Sequence, residues 1–102
     1  MNRIEKLKEF LQQNEADDFI QHALALEYIK IDDDAAAEKL FVEILERNPA
    51  YIGSYYHLAK LYERRGNVDA AINTYEKGMA MSKETDKHNY NELRSAYEEL
   101  TM

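Results

Sequence analysis

The sequence contains no cysteine, only one proline and only three glycines. The absence of cysteine excludes disulfides, thiolate metal sites and cysteine nucleophiles. Because glycine and proline are the residues that most often interrupt helices and form turns, their scarcity leaves few places for turns. Alanine, leucine, glutamate and lysine, which favour helices, are abundant. The composition therefore predicts an all-α protein.

Long apolar runs are also absent. No window approaches the roughly 18 apolar residues of a membrane-spanning helix, and the N-terminus lacks the apolar stretch of a signal peptide. The chain has 13 basic and 20 acidic residues, for a formal charge of −7. An acidic surface repels nucleic-acid phosphates and anionic lipids. These features predict a cytoplasmic protein with neither nucleic acid nor a membrane as a partner.

An internal repeat is the most informative feature of the sequence. Six residues recur at a spacing of 34, for example Leu24 as Leu58. The recurring pairs are Ala16 and Ala50, Leu24 and Leu58, Ala25 and Ala59, Tyr28 and Tyr62, Ala36 and Ala70, and Ala37 and Ala71. A fixed period of this length is typical of stacked supersecondary units, each too small to bury its own apolar face.

Apolar residues at helical spacing predict six short helices with short connections between them. Asp17 or Asp18 is the expected N-cap of the second helix. The three aspartates at 32–34 suit a turn followed by a helix cap, and Pro49 ends the next helix. Gly66 provides a later turn. Such short connections force neighbouring helices to be antiparallel.

The recurring positions resemble the signature of the tetratricopeptide repeat. That family places an aromatic residue, a leucine, a small residue and a second aromatic along its first helix, and small and aromatic residues along its second. The matching residues are Leu24, Ala25, Tyr28, Ala37, Phe41 and Pro49 in the first unit, and Tyr55, Leu58, Ala59, Tyr62, Ala71, Tyr75 and Gly78 in the second. Gln21, Ile44 and Lys83 depart from the pattern.

The resemblance implies a right-handed superhelical stack of antiparallel helix pairs, with about six helices in a single domain over residues 1–102. The expected parts are an N-terminal half-unit helix at 1–15, a first repeat at 16–49, a second at 50–83 and a C-terminal capping helix at 84–102.

A concave groove lined by the first helix of each unit is a further implication of the resemblance. The expected partner-binding residues are Phe19, His22, Leu26, Ile29, Tyr56, Lys60, Glu63 and Asn91. His88, Ser95 and Glu98 are further expected positions on the capping helix. Phe19, Leu26, Ile29 and Tyr56 form an apolar strip, and the other residues add specificity. Whether the N-terminal helix covers part of this strip is open at this point.

The resemblance points to a non-catalytic scaffold that binds a peptide or helix of a partner protein. Homo-oligomerisation, for example as a homodimer formed through terminal helices or grooves, is the alternative. Some members of the family clamp acidic chaperone tails, but the corresponding places here hold His22, Leu26, His57, His88 and Glu92. None of these keeps the family's residue, so a neutral or mixed ligand is expected.

No cofactor, metal or enzymatic activity is expected. His22, His57 and His88 lie on three different predicted helices, without a pair at the spacing of metal ligands. The aspartates at 32–34 lack the later glycine and glutamate of a calcium loop. The sequence also lacks a glycine-rich phosphate loop and a nucleophile-elbow pattern.

Overall fold

A computed structural model describes residues 2–13 and 17–102. These residues form six α-helices, which confirms the all-α prediction. The helices are α1 (Arg3–Gln13), α2 (Asp18–Lys30), α3 (Asp34–Arg47), α4 (Gly53–Arg64), α5 (Val68–Ser82) and α6 (Lys87–Thr101). Within the described residues, no helix combines the length and the apolar character needed to cross a membrane.

Short polar side chains start five of the described helices, including α1, where Oδ1 of Asn2 accepts a hydrogen bond of 2.9 Å from the Glu5 N–H. The carboxylate of Asp17 accepts a hydrogen bond of 3.0 Å from the backbone N–H of Ile20, so Asp17 is the N-cap of α2. Asp33 and Asp86 cap α3 and α6 in the same way. Asn67 caps α5, which begins at Val68. Each cap satisfies a backbone donor that the helix itself leaves unpaired.

Two of the turns place a residue in the left-handed region of the backbone map. Asp32 has a φ of 61° and Gly66 a φ of 78°. Glycine adopts this conformation without steric cost, and aspartate tolerates it better than most residues. Both turns lie where the sequence predicts them.

The helices fall into two compact units, an N-terminal unit (Met1–Asn48) and a C-terminal unit (Pro49–Met102). In the N-terminal unit, α2 packs against both α1 and α3. In the C-terminal unit, α5 packs against both α4 and α6, and α4 also contacts α6. The single domain with four parts stays a prediction, and its boundary between residues 15 and 16 lies outside the described residues.

The buried residues explain the sequence period. Leu24, Ala25, Ala37 and Phe41 are buried in the N-terminal unit. The residues 34 positions later are Leu58, Ala59, Ala71 and Tyr75, and they are buried in the C-terminal unit. Burial of one large apolar side chain contributes about 2 kcal/mol to folding. The repeat is therefore a repeat of core positions.

Gly78 lies at a close approach between helices of the C-terminal unit. A Cβ atom at this position would lie 2.7 Å from the Cβ of Tyr55 and 3.0 Å from Cδ1 of Leu93. Tyr55 belongs to α4 and Leu93 to α6, so a hydrogen atom on Gly78 lets α5 approach both neighbours. Glycine is required here for space.

Candidate functional site

A hollow of about 350 Å³ lies between α4 and α6 in the C-terminal unit. Its walls carry one aromatic ring, one ammonium group, two carboxylates and two small side chains. The lining residues are Tyr56, Lys60, Glu92, Ser95, Ala96 and Glu99. This volume is at the lower end of the range for ligand pockets, which suits one or two side chains of a peptide.

The α4 wall combines an aromatic face with a positive charge. Tyr56 and Lys60 are one helical turn apart, and Nζ of Lys60 lies 5.7 Å from the centroid of the Tyr56 ring. The same ammonium group lies 3.7 Å from Oε2 of Glu63. A cation over the face of a tyrosine ring is attracted by the electrons of the ring. Lys60 is therefore held by a ring on one side and a carboxylate on the other.

Tyr75 of α5 fixes the position of the Glu63 side chain. Its hydroxyl group donates a hydrogen bond to Oε2 of Glu63, and its side chain is fully buried. Burial raises the pKa of Tyr75 well above its usual value, and the hydrogen bond and negative charge of Glu63 raise it further. Tyr56 and Glu99 add smaller contributions in the same direction. The phenol therefore remains a neutral donor that fixes the Glu63 carboxylate.

The α6 wall presents Glu92, Ser95, Ala96 and Glu99. Spacings of three, four and seven residues place these side chains on one face of the helix. Oε1 of Glu92 lies 3.3 Å from Nε2 of His88, and both side chains are largely exposed. The two carboxylates at the ends of this face make the α6 wall acidic.

His57 follows Tyr56 on α4, and the two rings meet edge to face with centroids 5.7 Å apart. Burial lowers the pKa of His57, and the Glu92 carboxylate opposes part of that effect. The imidazole is therefore biased towards its neutral form, because its surroundings disfavour the charge more than Glu92 favours it.

The predicted groove residues of the C-terminal unit have different positions around the hollow. Tyr56 and Lys60 line it. Glu63 is outside the lining and forms an ion pair with Lys60. Asn91 is exposed and lies outside the lining, because adjacent residues of a helix point about 100° apart and Glu92 takes the inward direction.

Sequence reasoning missed Glu92, Ala96 and Glu99 as lining residues. Ser95 was among the expected positions on the capping helix. Glu92 and Glu99 lie three residues before it and four residues after it, and this helical spacing could have identified them. The pattern of Tyr55, Leu58 and Tyr62 recurs in Tyr90, Leu93 and Tyr97 at a spacing of 35, which indicates an insertion of one residue before α6. This insertion left the inward face of α6 ambiguous, since each residue rotates the face by about 100°.

The predicted residues of the N-terminal unit lie on α2. Phe19 is 71% exposed, so the N-terminal helix does not cover it. Leu26 and Ile29 are half-buried. The ring of His22 packs against the buried ring of Phe41, with centroids 5.6 Å apart. That these residues share one groove with those of the C-terminal unit stays a prediction.

Among the residues that the structure describes, no three histidine, aspartate or glutamate side chains are grouped closely enough to hold a metal ion. The chemistry that the hollow offers is recognition by charge, hydrogen bonding and aromatic contact.

Comparisons with known proteins identify relatives of both the sequence and the fold. The family model of the tetratricopeptide repeat matches residues 32–97. A tetratricopeptide repeat domain protein from Salinibacter ruber, solved by NMR in solution, is 41% identical over 83% of this chain and 87% of that chain, with a TM-score of 0.80. Its crystal structure gives 41% identity over 82% and 94% of the two chains, with a TM-score of 0.79.

A protein from Bordetella parapertussis has the same fold at lower identity. Its solution structure is 22% identical, covers 98% of this chain and 88% of that chain, and has a TM-score of 0.83. A search of curated proteins found no match. The structural likenesses confirm the predicted all-α repeat fold.

Proposed function

Because this chain belongs to the tetratricopeptide-repeat family, we propose that it is a non-catalytic interaction module that binds a peptide segment of another protein in the hollow between α4 and α6. Members of this family commonly mediate protein–protein interactions and are generally scaffolds. The proposal goes further, since it assigns the binding to one place on this chain.

The observation that carries the proposal is the position of Tyr56. Its half-buried ring lines a hollow of about 350 Å³ and is bordered by the polar groups of Lys60, Glu92 and Glu99. A rigid aromatic side chain surrounded by polar groups is the usual centre of a peptide contact. Polar groups at the edge fix the orientation of the bound segment.

An array of immobilised random nonapeptides, incubated with the fluorescently labelled full chain, tests the proposal. We expect Tyr56→Ala to weaken the strongest interactions by about 2 kcal/mol, because truncation of an aromatic anchor removes most of its contact area. Tyr97→Ala is the matched control, since Tyr97 is also half-buried but lies outside the lining. Peptides that bind equally well to wild type and Tyr56→Ala would refute the assignment.

Self-association is a second candidate, supported by a different observation. Phe19 is 71% exposed and Phe10 47% exposed in the N-terminal unit. Exposed aromatic side chains of this kind favour contact between copies of a chain. Light scattering over a dilution series tests this candidate, and Phe19→Ser should abolish any dimer without unfolding the chain. A monomer at all concentrations would exclude it.

A further inference from the structure

Acidic side chains outnumber basic ones around the hollow, and this difference indicates the charge of its ligand. Two carboxylates, Glu92 and Glu99, line it against one ammonium group, that of Lys60. Lys60 is already paired, because its Nζ lies 3.7 Å from Oε2 of Glu63. With Glu63 included, three carboxylates accompany one cation, so these four groups together carry a net negative charge.

The two lining carboxylates are available to a ligand. Glu92 forms an ion pair with His88, whose side chain is 81% exposed and carries a charge only when protonated, and it also interacts with the imidazole of His57, which burial biases towards the neutral form. Glu99 forms no ion pair within the described parts of the chain. Exposed carboxylates that lack a fixed cation attract one from solution or from a partner.

Lys60 shows which chemistry the hollow accepts. Its ammonium group lies over the Tyr56 ring, at 5.7 Å from the centroid, with the Glu63 carboxylate beside it. An aromatic face next to carboxylates is a favourable place for lysine and arginine side chains. The chain therefore places one of its own cations on the surface that a ligand cation would use.

We propose that the segment bound in the hollow is basic, with a lysine or arginine side chain over the Tyr56 ring and between Glu92 and Glu99. Lys60 then acts as an internal competitor that must move along its flexible stem when the segment binds. This inference rests on the proposed function and names the class of its ligand. The formal charge of −7 favours the same class of partner over the whole chain.

Replacement of Lys60 should change the affinity in opposite directions for a basic and an acidic ligand. If the ligand is basic, Lys60→Met removes a positive charge that repels the ligand. It also removes a competitor for the Tyr56 ring, so the affinity for the ligand rises. If the ligand is acidic, the same substitution removes its attractive partner, so affinity falls. Methionine keeps the length and apolar stem of lysine, and packing around the half-buried side chain is preserved.

The test uses the same random-nonapeptide array with the full chain, and then fluorescence anisotropy with the strongest peptide. We expect bound peptides to be enriched in lysine and arginine. The double variant Glu92→Gln/Glu99→Gln should weaken the strongest peptide about fivefold, and Lys60→Met should strengthen it about threefold, as expected for partly exposed charge pairs. Raising the salt concentration should reduce both effects.

A matched control separates local charge from net charge. Asp69→Asn/Glu84→Gln removes the same total charge from exposed positions outside the lining, and should leave the affinity within about 1.5-fold of wild type. If this control weakens binding as much as Glu92→Gln/Glu99→Gln, attraction is general and the inference is wrong.

The remaining outcomes separate the two proposals. Acidic or uncharged peptides whose binding depends on Tyr56 would overturn the inference and support the proposed function. Peptides that bind independently of Tyr56, or an array without any bound peptide, would overturn both. Enrichment of basic peptides with a loss of affinity in Lys60→Met would overturn the role assigned to Lys60.

Discussion

The hydroxyl group of Tyr75 on α5 donates a hydrogen bond to the carboxylate of Glu63 on α4. Glu63 in turn lies beside the Lys60 ammonium group, which is placed over the Tyr56 ring. The fully buried Tyr75 is thus connected to the Tyr56 ring that lines the hollow by a hydrogen bond, an ion pair and a cation–π contact. The packing of α5 on α4 and the geometry of the candidate site depend on the same bond.

Removal of this bond should destabilise the C-terminal unit. We expect Tyr75→Phe to lower the free energy of unfolding by about 1–3 kcal/mol, because a half-buried carboxylate loses its donor while the ring still fills its place. Urea unfolding followed by circular dichroism measures the change. Tyr97→Phe is the control, since the Tyr97 hydroxyl donates to Glu76 at an exposed site, 3.1 Å away. Equal losses in both variants would contradict the importance given to burial.

Gly78 provides a test of helix packing. We expect Gly78→Ala to lower the free energy of unfolding by about 1–3 kcal/mol, because the new Cβ would lie 2.7 Å from Cβ of Tyr55. Helix propensity acts in the opposite direction by up to about 1 kcal/mol.

Ala80→Gly, at an exposed position of the same helix, measures that propensity term alone. Thermal unfolding of the two variants compares the effects. A gain of stability in Gly78→Ala would show that α5 moves away from its neighbours without cost.

The aspartates at 32–34 should behave as a turn and a cap. Asp32 has a φ of 61°, so Asp32→Gly should leave stability unchanged or raise it by up to about 1 kcal/mol. Asp33→Ala should lower it by about 1 kcal/mol, because Oδ1 of Asp33 accepts a hydrogen bond of 3.2 Å from the Ala36 N–H. Thermal unfolding measures both. An increase of melting temperature on addition of calcium would instead reveal a cation site.

Acid should weaken the N-terminal unit through Asp18. The side chain of Asn48 donates a 3.0 Å hydrogen bond to Asp18 and, together with Arg47, holds the pKa of that carboxyl below its usual value. A carboxyl with a lowered pKa in the folded state stabilises fully above its unfolded pKa of about 4. The contribution disappears as the pH falls through the folded value.

Hydrogen exchange of α2 and α3 amides between about pH 5 and about pH 2 measures this loss. Asp18→Asn keeps the size of the side chain and should remove the part of the pH dependence that Asp18 carries. An identical pH dependence in wild type and variant would show that other carboxyls account for it.

Much of the fold could be predicted from the sequence because the core positions repeat. Leu24 and Leu58 are buried at equivalent places, and the turn at Gly66 follows from the conformational freedom of glycine. The sequence predicts Asp17 or Asp18 as the N-cap of α2. The hydrogen bond from the Ile20 N–H to Asp17 identifies Asp17 as the cap. Choosing between neighbouring caps requires backbone geometry that the sequence does not specify.

The site was less predictable, because it depends on how helices separated in sequence face each other. Tyr56 and Lys60 were expected from the resemblance to the tetratricopeptide repeat, and both line the hollow. Glu99 was missed because a one-residue insertion rotates α6 relative to the repeat pattern. The bond between Tyr75 and Glu63 also escaped prediction, since Tyr75 occupies a core position and its hydroxyl group carried no signal in the repeat.

The lack of a side chain at Gly78 has an effect beyond the core. It lets α5 sit deep between α4 and α6, the helices that form the two sides of the hollow. A bulkier residue there would act as a wedge and spread these helices apart. The width of the hollow is thus set from within the core of the unit, by a residue that does not line it.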